Sequence, residues 1–125
     1  MTKETAIIDD FTSALRRFSE ILAEPKTAIV RDAAIQRFEF SFDLAWKVLK
    51  TVLEEQKGII CTSPNECIRE AYQQKFIDYD EKWMSVLKNR NLTAHTYNEK
   101  LIEEIFAELP IALELFSTLL KKIAL

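Results

Sequence analysis

The sequence contains very little glycine and proline. Glycine occurs once and proline three times in 125 residues. Because hairpins and tight turns depend on these residues, their scarcity argues against an all-β fold. Hydrophobic residues make up 48% of the chain and charged residues 30%, a balance that suits long helices. A chain of this length can bury a core without disulfide or metal staples, so we predict a single all-α domain over residues 1–125.

Long apolar runs and an excess of positive charge are also absent. No stretch approaches the roughly 18 apolar residues of a membrane span, and residues 1–10 carry charges where a signal peptide would be apolar. The formal net charge is -3, so no overall positive field attracts nucleic acid or an anionic membrane. We therefore predict a cytoplasmic protein with no membrane contact, in which any nucleic-acid contact is local.

Metal-binding and thiol residues are scarce. The chain has one histidine and two cysteines, Cys61 and Cys67, with five residues between them. A zinc site requires more ligands, so we predict no metal and no cofactor. The spacing permits a disulfide, but two thiols in a chain without a secretion signal are expected to be reduced.

Apolar residues recur at steps of three and four, which predicts helices. Short connections between the helices favour an up-and-down antiparallel bundle of about five helices. The predicted spans are about 3–23, 27–57, 64–74, a fourth helix beginning near Asp78 or Asp80, and a fifth helix that continues to the C-terminus.

Several residues mark the predicted helix ends. Gly58 provides a left-handed C-cap for the second helix, and Ser63 opens a capping box for the third. Thr96 and Glu99 form a second capping box, which places the start of the fifth helix just after a break in the chain. Pro110 is predicted to kink or break that last helix.

The long second helix carries apolar residues on two sides. Its main stripe includes Phe38 and Phe42, yet Phe40 and Leu44 project from the opposite side at about 100° per residue. The second side is covered either by another helix of the bundle or by a second copy of the chain. In the second case the chain is expected to form a homodimer.

The segment 88–97 holds the only histidine together with other functional side chains. On a continuous helix Asn91 and His95 share a face, whereas Arg90 lies ~140° and Tyr97 ~200° from His95. Convergence of Arg90, His95 and Tyr97 therefore requires the helix to end near Ala94, where the following capping box also predicts a break.

These residue types suit a phosphodiester. Imidazole can remove or return a hydroxyl proton near neutral pH, and guanidinium binds phosphate oxygens through paired hydrogen bonds. With no carboxylate cluster or histidine pair to hold a metal, we predict metal-independent cleavage of RNA, and not of DNA, by attack of the ribose 2′-hydroxyl. The reaction needs both a base and an acid, and a dimer supplies two copies of His95. The alternative is that His95 only caps a helix end or lies at the surface.

The segment resembles the motif of the HEPN domains, and specifically of the toxins of HEPN/MNT toxin-antitoxin pairs, long described as nucleotidyltransferase substrate-binding proteins. The motif of that branch is Arg, four residues, His, one residue, Tyr, with a polar residue after the Arg. Residues 90–97 match it completely. The similarity extends over most of the chain through the segments 37–39, 45–47, 63–64 and 68–71 and through the order of the helices.

The resemblance implies a homodimeric, metal-independent endoribonuclease toxin. Arg90 and His95 would be catalytic, and Asn91 would be the supporting polar residue. The partner would be a minimal nucleotidyltransferase antitoxin, which neutralises the toxin by transferring AMP from ATP to Tyr97. A second hypothesis is a non-catalytic module in which Arg90 and His95 recognise a nucleotide or the nucleotidyltransferase without turnover.

Overall fold

The computed structural model describes residues 2–95 and 98–123. Over these residues it contains five α-helices and no strand, which confirms the prediction of an all-helical fold with five helices. None of these helices combines the length and the apolar character that crossing a bilayer requires. The helices are α1 (Lys3–Leu22), α2 (Ala28–Lys57), α3 (Pro64–Gln73), α4 (Lys82–Thr93) and α5 (Glu99–Ile123).

The ends of α2 and α3 follow the sequence signals. Gly58 terminates α2 in the left-handed conformation, with φ of 67°, which a residue without Cβ adopts freely. The Ser63 hydroxyl accepts the backbone N–H of Glu66 at 3.2 Å. The Glu66 carboxylate bonds back to the N–H and hydroxyl of Thr62, so the capping box closes one residue earlier than predicted.

Two predictions about α5 concern its N-terminal cap and a break at Pro110. Asn98 lies directly before the helix, and its side-chain oxygen accepts the N–H of Leu101 at 3.1 Å, whereas the predicted cap, Thr96, lies outside the described residues. The helix continues through Pro110, so the predicted break is wrong, and the alternative of a kink stays a prediction. The break does not occur because burial of residues on both sides of the proline holds the two halves of α5 on the same core.

The core is centred on Phe116 of α5. Four other phenylalanine rings and the Trp83 ring surround it, with centroids 5.9 to 6.5 Å from its own, a spacing typical of favourable aromatic pairs. Helix α2 packs against each of the other four helices. It is therefore the element to which the motif-bearing α4 and the following α5 are both fixed. The four phenylalanines are Phe11, Phe18, Phe38 and Phe42.

The expectation of reduced thiols is wrong for this structure. Cys61 and Cys67 form a disulfide with their Cα atoms 5.3 Å apart, and both residues are fully buried. The bond joins the connection after α2 to the first turns of α3. The spacing had allowed this pairing, and the capped turn at Ser63 brings the two side chains together.

Candidate active site

Arg90, in the last turn of α4, is held by two carboxylates of α2. Its Nε and Nη2 donate to the two carboxylate oxygens of Asp43 at 3.2 and 3.1 Å. Its Nη1 donates to the Glu39 carboxylate at 2.8 Å. Glu39 and Asp43 are four residues apart on α2, so both side chains project from one face of that helix. The result is a three-point attachment of α4 to α2.

Thr93 completes this cluster. Its hydroxyl lies 3.1 Å from the Glu39 carboxylate and 2.8 Å from the Arg90 carbonyl, and its single hydrogen can serve one of these acceptors at a time. The Arg90 side chain is 22% exposed. Arg90 is therefore anchored but remains accessible from solvent.

The electrostatics follow from the contacts. The hydrogen bond with Asp43 is the largest contribution that raises the pKa of Arg90, and the charges of Asp43 and Glu39 raise it further against partial burial. The guanidinium stays protonated at any pH of interest. The sequence argument that no carboxylates cluster here missed Glu39 and Asp43, although their four-residue spacing was a signal that a basic side chain could lie between them.

Asn91 and His95 share a shallow depression on another side of α4. His95 is exposed, and its backbone N–H donates to the Leu92 carbonyl at 3.2 Å, so the chain makes one more turn beyond the helix. The remaining surface of the depression is mostly apolar. Its lining residues are Met84, Leu87, Lys88, Asn91, Leu92 and His95.

The structure confirms part of the predicted site geometry. Helix α4 ends at Thr93, next to the predicted break at Ala94. In residues 2–95 and 98–123, however, no hydrogen bond joins Arg90 to His95, since Arg90 faces α2 while His95 lines the depression. Tyr97 lies outside the described residues. No three carboxylate, histidine or cysteine side chains within the described ranges are grouped to hold a metal ion.

A second arginine cluster fixes the helix that follows the motif. Arg31, in the first turn of α2, donates to Glu99 at 2.7 Å and to Glu103 at 2.9 Å, both in the first turns of α5. Its Nε also donates to Asp32 at 3.0 Å, and Lys26 pairs with Glu103. The start of α5 is thus attached to the start of α2.

Sequence reasoning missed Arg31 because its partners lie 68 and 72 residues away. The side chain is 9% exposed, and the bonds to Glu103, Glu99 and Asp32 raise its pKa well above the usual range. A buried arginine requires such partners, so each end of the motif connection is anchored to α2 by one arginine.

The second apolar side of α2 is only partly covered. Phe40 is 50% exposed and Leu44 is half-buried. Both line a groove between α1 and α2 together with Ser13, Ala14, Arg16, Arg17 and Arg37. The prediction that these apolar residues pair two copies of the chain is not tested by a single chain.

Comparison with known proteins adds a family assignment. The profile of the family described as nucleotidyltransferase substrate binding protein like matches residues 7–124. A probable ribonuclease HepT from Haemophilus influenzae is 30% identical over 90 residues, which are 66% of this chain and 62% of that protein. The chain thus matches less than two thirds of the length of that relative.

A solved structure supports the fold. The crystal structure of a protein from Thermus thermophilus superposes with a TM-score of 0.82 and is 36% identical in sequence. The match covers 89% of this chain and 96% of that one. Most of the helical arrangement described above is therefore shared with a protein determined by crystallography.

Proposed function

Because the chain belongs to the HEPN-related family of nucleotidyltransferase substrate-binding proteins, we propose that it is a metal-independent endoribonuclease and the toxin of a toxin-antitoxin pair. The observation that carries the proposal is Arg90, accessible and fixed at the end of α4, with an exposed His95 one turn further on. The probable ribonuclease with which the chain shares 30% identity supports the same assignment.

The anchoring of Arg90 leaves it able to bind phosphate. A guanidinium has five N–H donors. Three of them bond to Asp43 and Glu39 at 3.2 Å or less, and Nη1 lies 3.4 Å from the Thr93 hydroxyl. The second hydrogen on Nη2 has no partner in the described part of the chain. Arg90 can therefore donate to a nonbridging phosphate oxygen while Asp43 keeps its plane fixed.

The reaction is an internal transfer at phosphorus. His95 removes the proton of the ribose 2′-hydroxyl, and the 2′-oxygen attacks the adjacent phosphorus. The bond from phosphorus to the 5′-oxygen breaks, and that oxygen takes a proton from a second imidazole. The products are a 2′,3′-cyclic phosphate and a 5′-hydroxyl. Arg90 binds the charge that develops on the phosphate oxygens, and Asn91 orients the substrate or His95.

A homodimer supplies the second imidazole. The depression beside His95 contains the 40% exposed Met84 and the half-buried Leu87 and Leu92, an apolar surface suited to a second copy. In the proposed dimer, a two-fold axis through this surface would bring two copies of His95 into one cleft. A two-fold axis through Phe40 would instead bring the arginines of the α1–α2 groove close to their own copies.

We further propose that Tyr97 is the site of neutralisation. A minimal nucleotidyltransferase would direct the phenolic oxygen of Tyr97 to the α-phosphate of ATP, with loss of the phenolic proton and of pyrophosphate. The attached AMP adds negative charge two residues from His95, where the RNA phosphate is proposed to bind. Inhibition then follows from steric blockage and charge repulsion.

RNA cleavage by protein free of AMP tests the proposal. Wild-type protein in EDTA should cleave a single-stranded RNA, and His95→Ala and Arg90→Ala should each reduce the rate by at least roughly 100-fold. Arg69→Ala is the matched control, since Arg69 is an exposed arginine on α3. Equal cleavage by wild type and both motif variants would reject the assignment, because the activity would then come from elsewhere.

One observation favours the second candidate, a non-catalytic nucleotide-binding subunit of a nucleotidyltransferase. Arg90 already has two carboxylate partners, and such an arrangement also suits recognition without turnover. Under this hypothesis the protein copurifies with the nucleotidyltransferase, and RNA stays intact even at high protein concentration. Tyr97→Phe separates the two hypotheses further, since under the toxin hypothesis it escapes modification and stays active.

A further inference from the structure

The groove between α1 and α2 concentrates positive charge in an acidic protein. Three of its lining residues are arginines, Arg16, Arg17 and Arg37, and none is a carboxylate. The whole chain has 17 basic and 20 acidic residues. A local field of this kind attracts an anion even when the net charge does not.

Two of these arginines are not neutralised by the protein. Within residues 2–95 and 98–123, Arg17 and Arg37 form no ion pair, and Arg16 meets only Glu20, at 3.9 Å. Both side chains of that pair are more than two thirds exposed, so the pair contributes little. The groove therefore presents guanidinium donors to solvent, whereas carboxylates occupy most of the donors of Arg31 and Arg90.

An aromatic ring lies among these charges. Phe40 is 50% exposed, and Leu44 lies one turn further along the same side of α2. A half-exposed phenylalanine beside arginines matches the chemistry of single-stranded nucleic acid, whose bases stack on rings while its phosphates bind cations. An aliphatic partner would contact only the ring, and an acidic partner would contact only the arginines.

Two residues of the groove are sequence neighbours of the carboxylates that hold Arg90. Phe40 and Leu44 directly follow Glu39 and Asp43, the two residues that hold Arg90. Each is rotated by about 100° from its neighbour around α2. A strand bound at Arg90 can thus cross one ridge of α2 and enter the groove.

We propose that this groove is a binding site for single-stranded RNA, in which Arg17 and Arg37 bind phosphates and Phe40 stacks an unpaired base. The inference rests on the proposed ribonuclease function and names where its substrate is held beyond the cleaved bond. Because like charges would oppose each other across a two-fold axis here, the charge of the groove favours an anionic strand over a second copy.

Binding to an RNA that cannot be cleaved tests the site apart from catalysis. The probe is a fluorescent 2′-O-methyl oligonucleotide of unpaired sequence, read by anisotropy. Arg17→Gln/Arg37→Gln should raise the Kd about tenfold or more at low salt. The slope of log Kd against log salt should fall by about 1.4, since about 0.7 is lost for each phosphate contact of a single strand.

The matched control is Lys57→Gln/Lys121→Gln. It makes the same change in net charge at two exposed residues on other surfaces, and it should change the Kd less than threefold. Phe40→Leu should weaken binding roughly fivefold to tenfold, whereas Phe40→Tyr keeps the ring and the affinity.

A second measurement uses wild-type protein, so it does not depend on the folding of a variant. Single-stranded RNA carrying 5-bromouridine is irradiated on the protein, and the cross-linked peptide is identified by mass spectrometry. Attachment at Phe40 supports the site, and attachment confined to other surfaces overturns it.

The outcomes separate the two proposals. If wild type cleaves RNA but the arginine variant binds and cleaves like wild type, the groove proposal fails and the ribonuclease stands. If RNA binds through the groove but is never cleaved, the ribonuclease fails. If the arginine variant instead loses its oligomeric state with unchanged RNA affinity, the groove is a protein interface and the proposal is wrong.

Discussion

Four arginines divide into two pairs with opposite surroundings. Arg31 and Arg90 are each bonded to carboxylates of other helices at 2.7 to 3.2 Å. Arg17 and Arg37 line an open groove and form no ion pair in the described ranges. Arg37 is only six residues from Arg31 on the same helix, so position along α2 does not explain the difference.

The difference lies in where the acidic residues are. Glu39, Asp43, Glu99 and Glu103 lie at contacts between helices, where each joins α2 to α4 or α5. No carboxylate lines the groove. An acidic chain can therefore still offer a basic surface, because four of its carboxylates are paired with arginines around the motif and none lies in the groove.

Changing a carboxylate that holds Arg90 should have the largest effect of any change outside the motif. Asp43→Asn removes the charge of the residue that fixes two guanidinium nitrogens, so we expect kcat to fall about tenfold while KM changes little. The measurement is steady-state RNA cleavage. Asp78→Asn, which removes a carboxylate paired with Lys122, is the control and should leave kcat unchanged. An effect on KM alone would show that Asp43 does not position Arg90.

Stability should distinguish the two anchored arginines. Arg31→Gln leaves Glu99 and Glu103 facing each other without a common cation, so the midpoint of thermal unfolding should fall further than for Arg90→Gln. RNA cleavage should show the reverse order, with Arg90→Gln the more damaging. Calorimetry and cleavage assays on both variants check this, and Arg16→Gln is the surface control. An equal loss of activity in both variants would mean that the two clusters have the same role.

Replacement of Glu103 should have the smallest effect, which is on the stability of the fold at acidic pH. The hydrogen bond from Lys26, followed by that from Arg31, lowers the pKa of Glu103 in the folded protein. A lowered folded pKa stabilises the fold above the usual glutamate range, and this contribution is lost as pH falls through the folded pKa. The free energy of unfolding, measured with urea, should therefore fall less between about pH 7 and about pH 3 for Glu103→Gln than for wild type. Identical pH dependence in both proteins would exclude Glu103 as a contributor.

Local signals predicted most of the fold. The helix spans, the left-handed Gly58 and the Ser63 cap followed from spacing and capping chemistry, which act over a few residues. The errors concern contacts that the spacing and capping rules do not cover. Pro110 stays inside α5 because burial outweighs the lost hydrogen bond, and the disulfide forms because a turn brings Cys61 to Cys67.

The sequence predicted the motif residues of the candidate site but not their surroundings. The motif pointed to Arg90, Asn91 and His95 and to a helix end between them, and α4 does end there. The sequence did not reveal the partners of Arg90, since Glu39 and Asp43 lie 51 and 47 residues away. It also did not reveal the arginine groove, because α1 and α2 each contribute only part of it.

The chemistry of the cleaved ends tests the central proposal most directly. A labelled RNA is incubated in EDTA with wild-type protein free of AMP, beside the same RNA carrying a single 2′-deoxynucleotide at the cleaved position. We expect a 2′,3′-cyclic phosphate and a 5′-hydroxyl from the first RNA, and no cut at that position in the second. Cleavage of the deoxy-substituted bond would show that no ribose hydroxyl attacks the phosphate, and it would contradict the role proposed for His95 and Arg90.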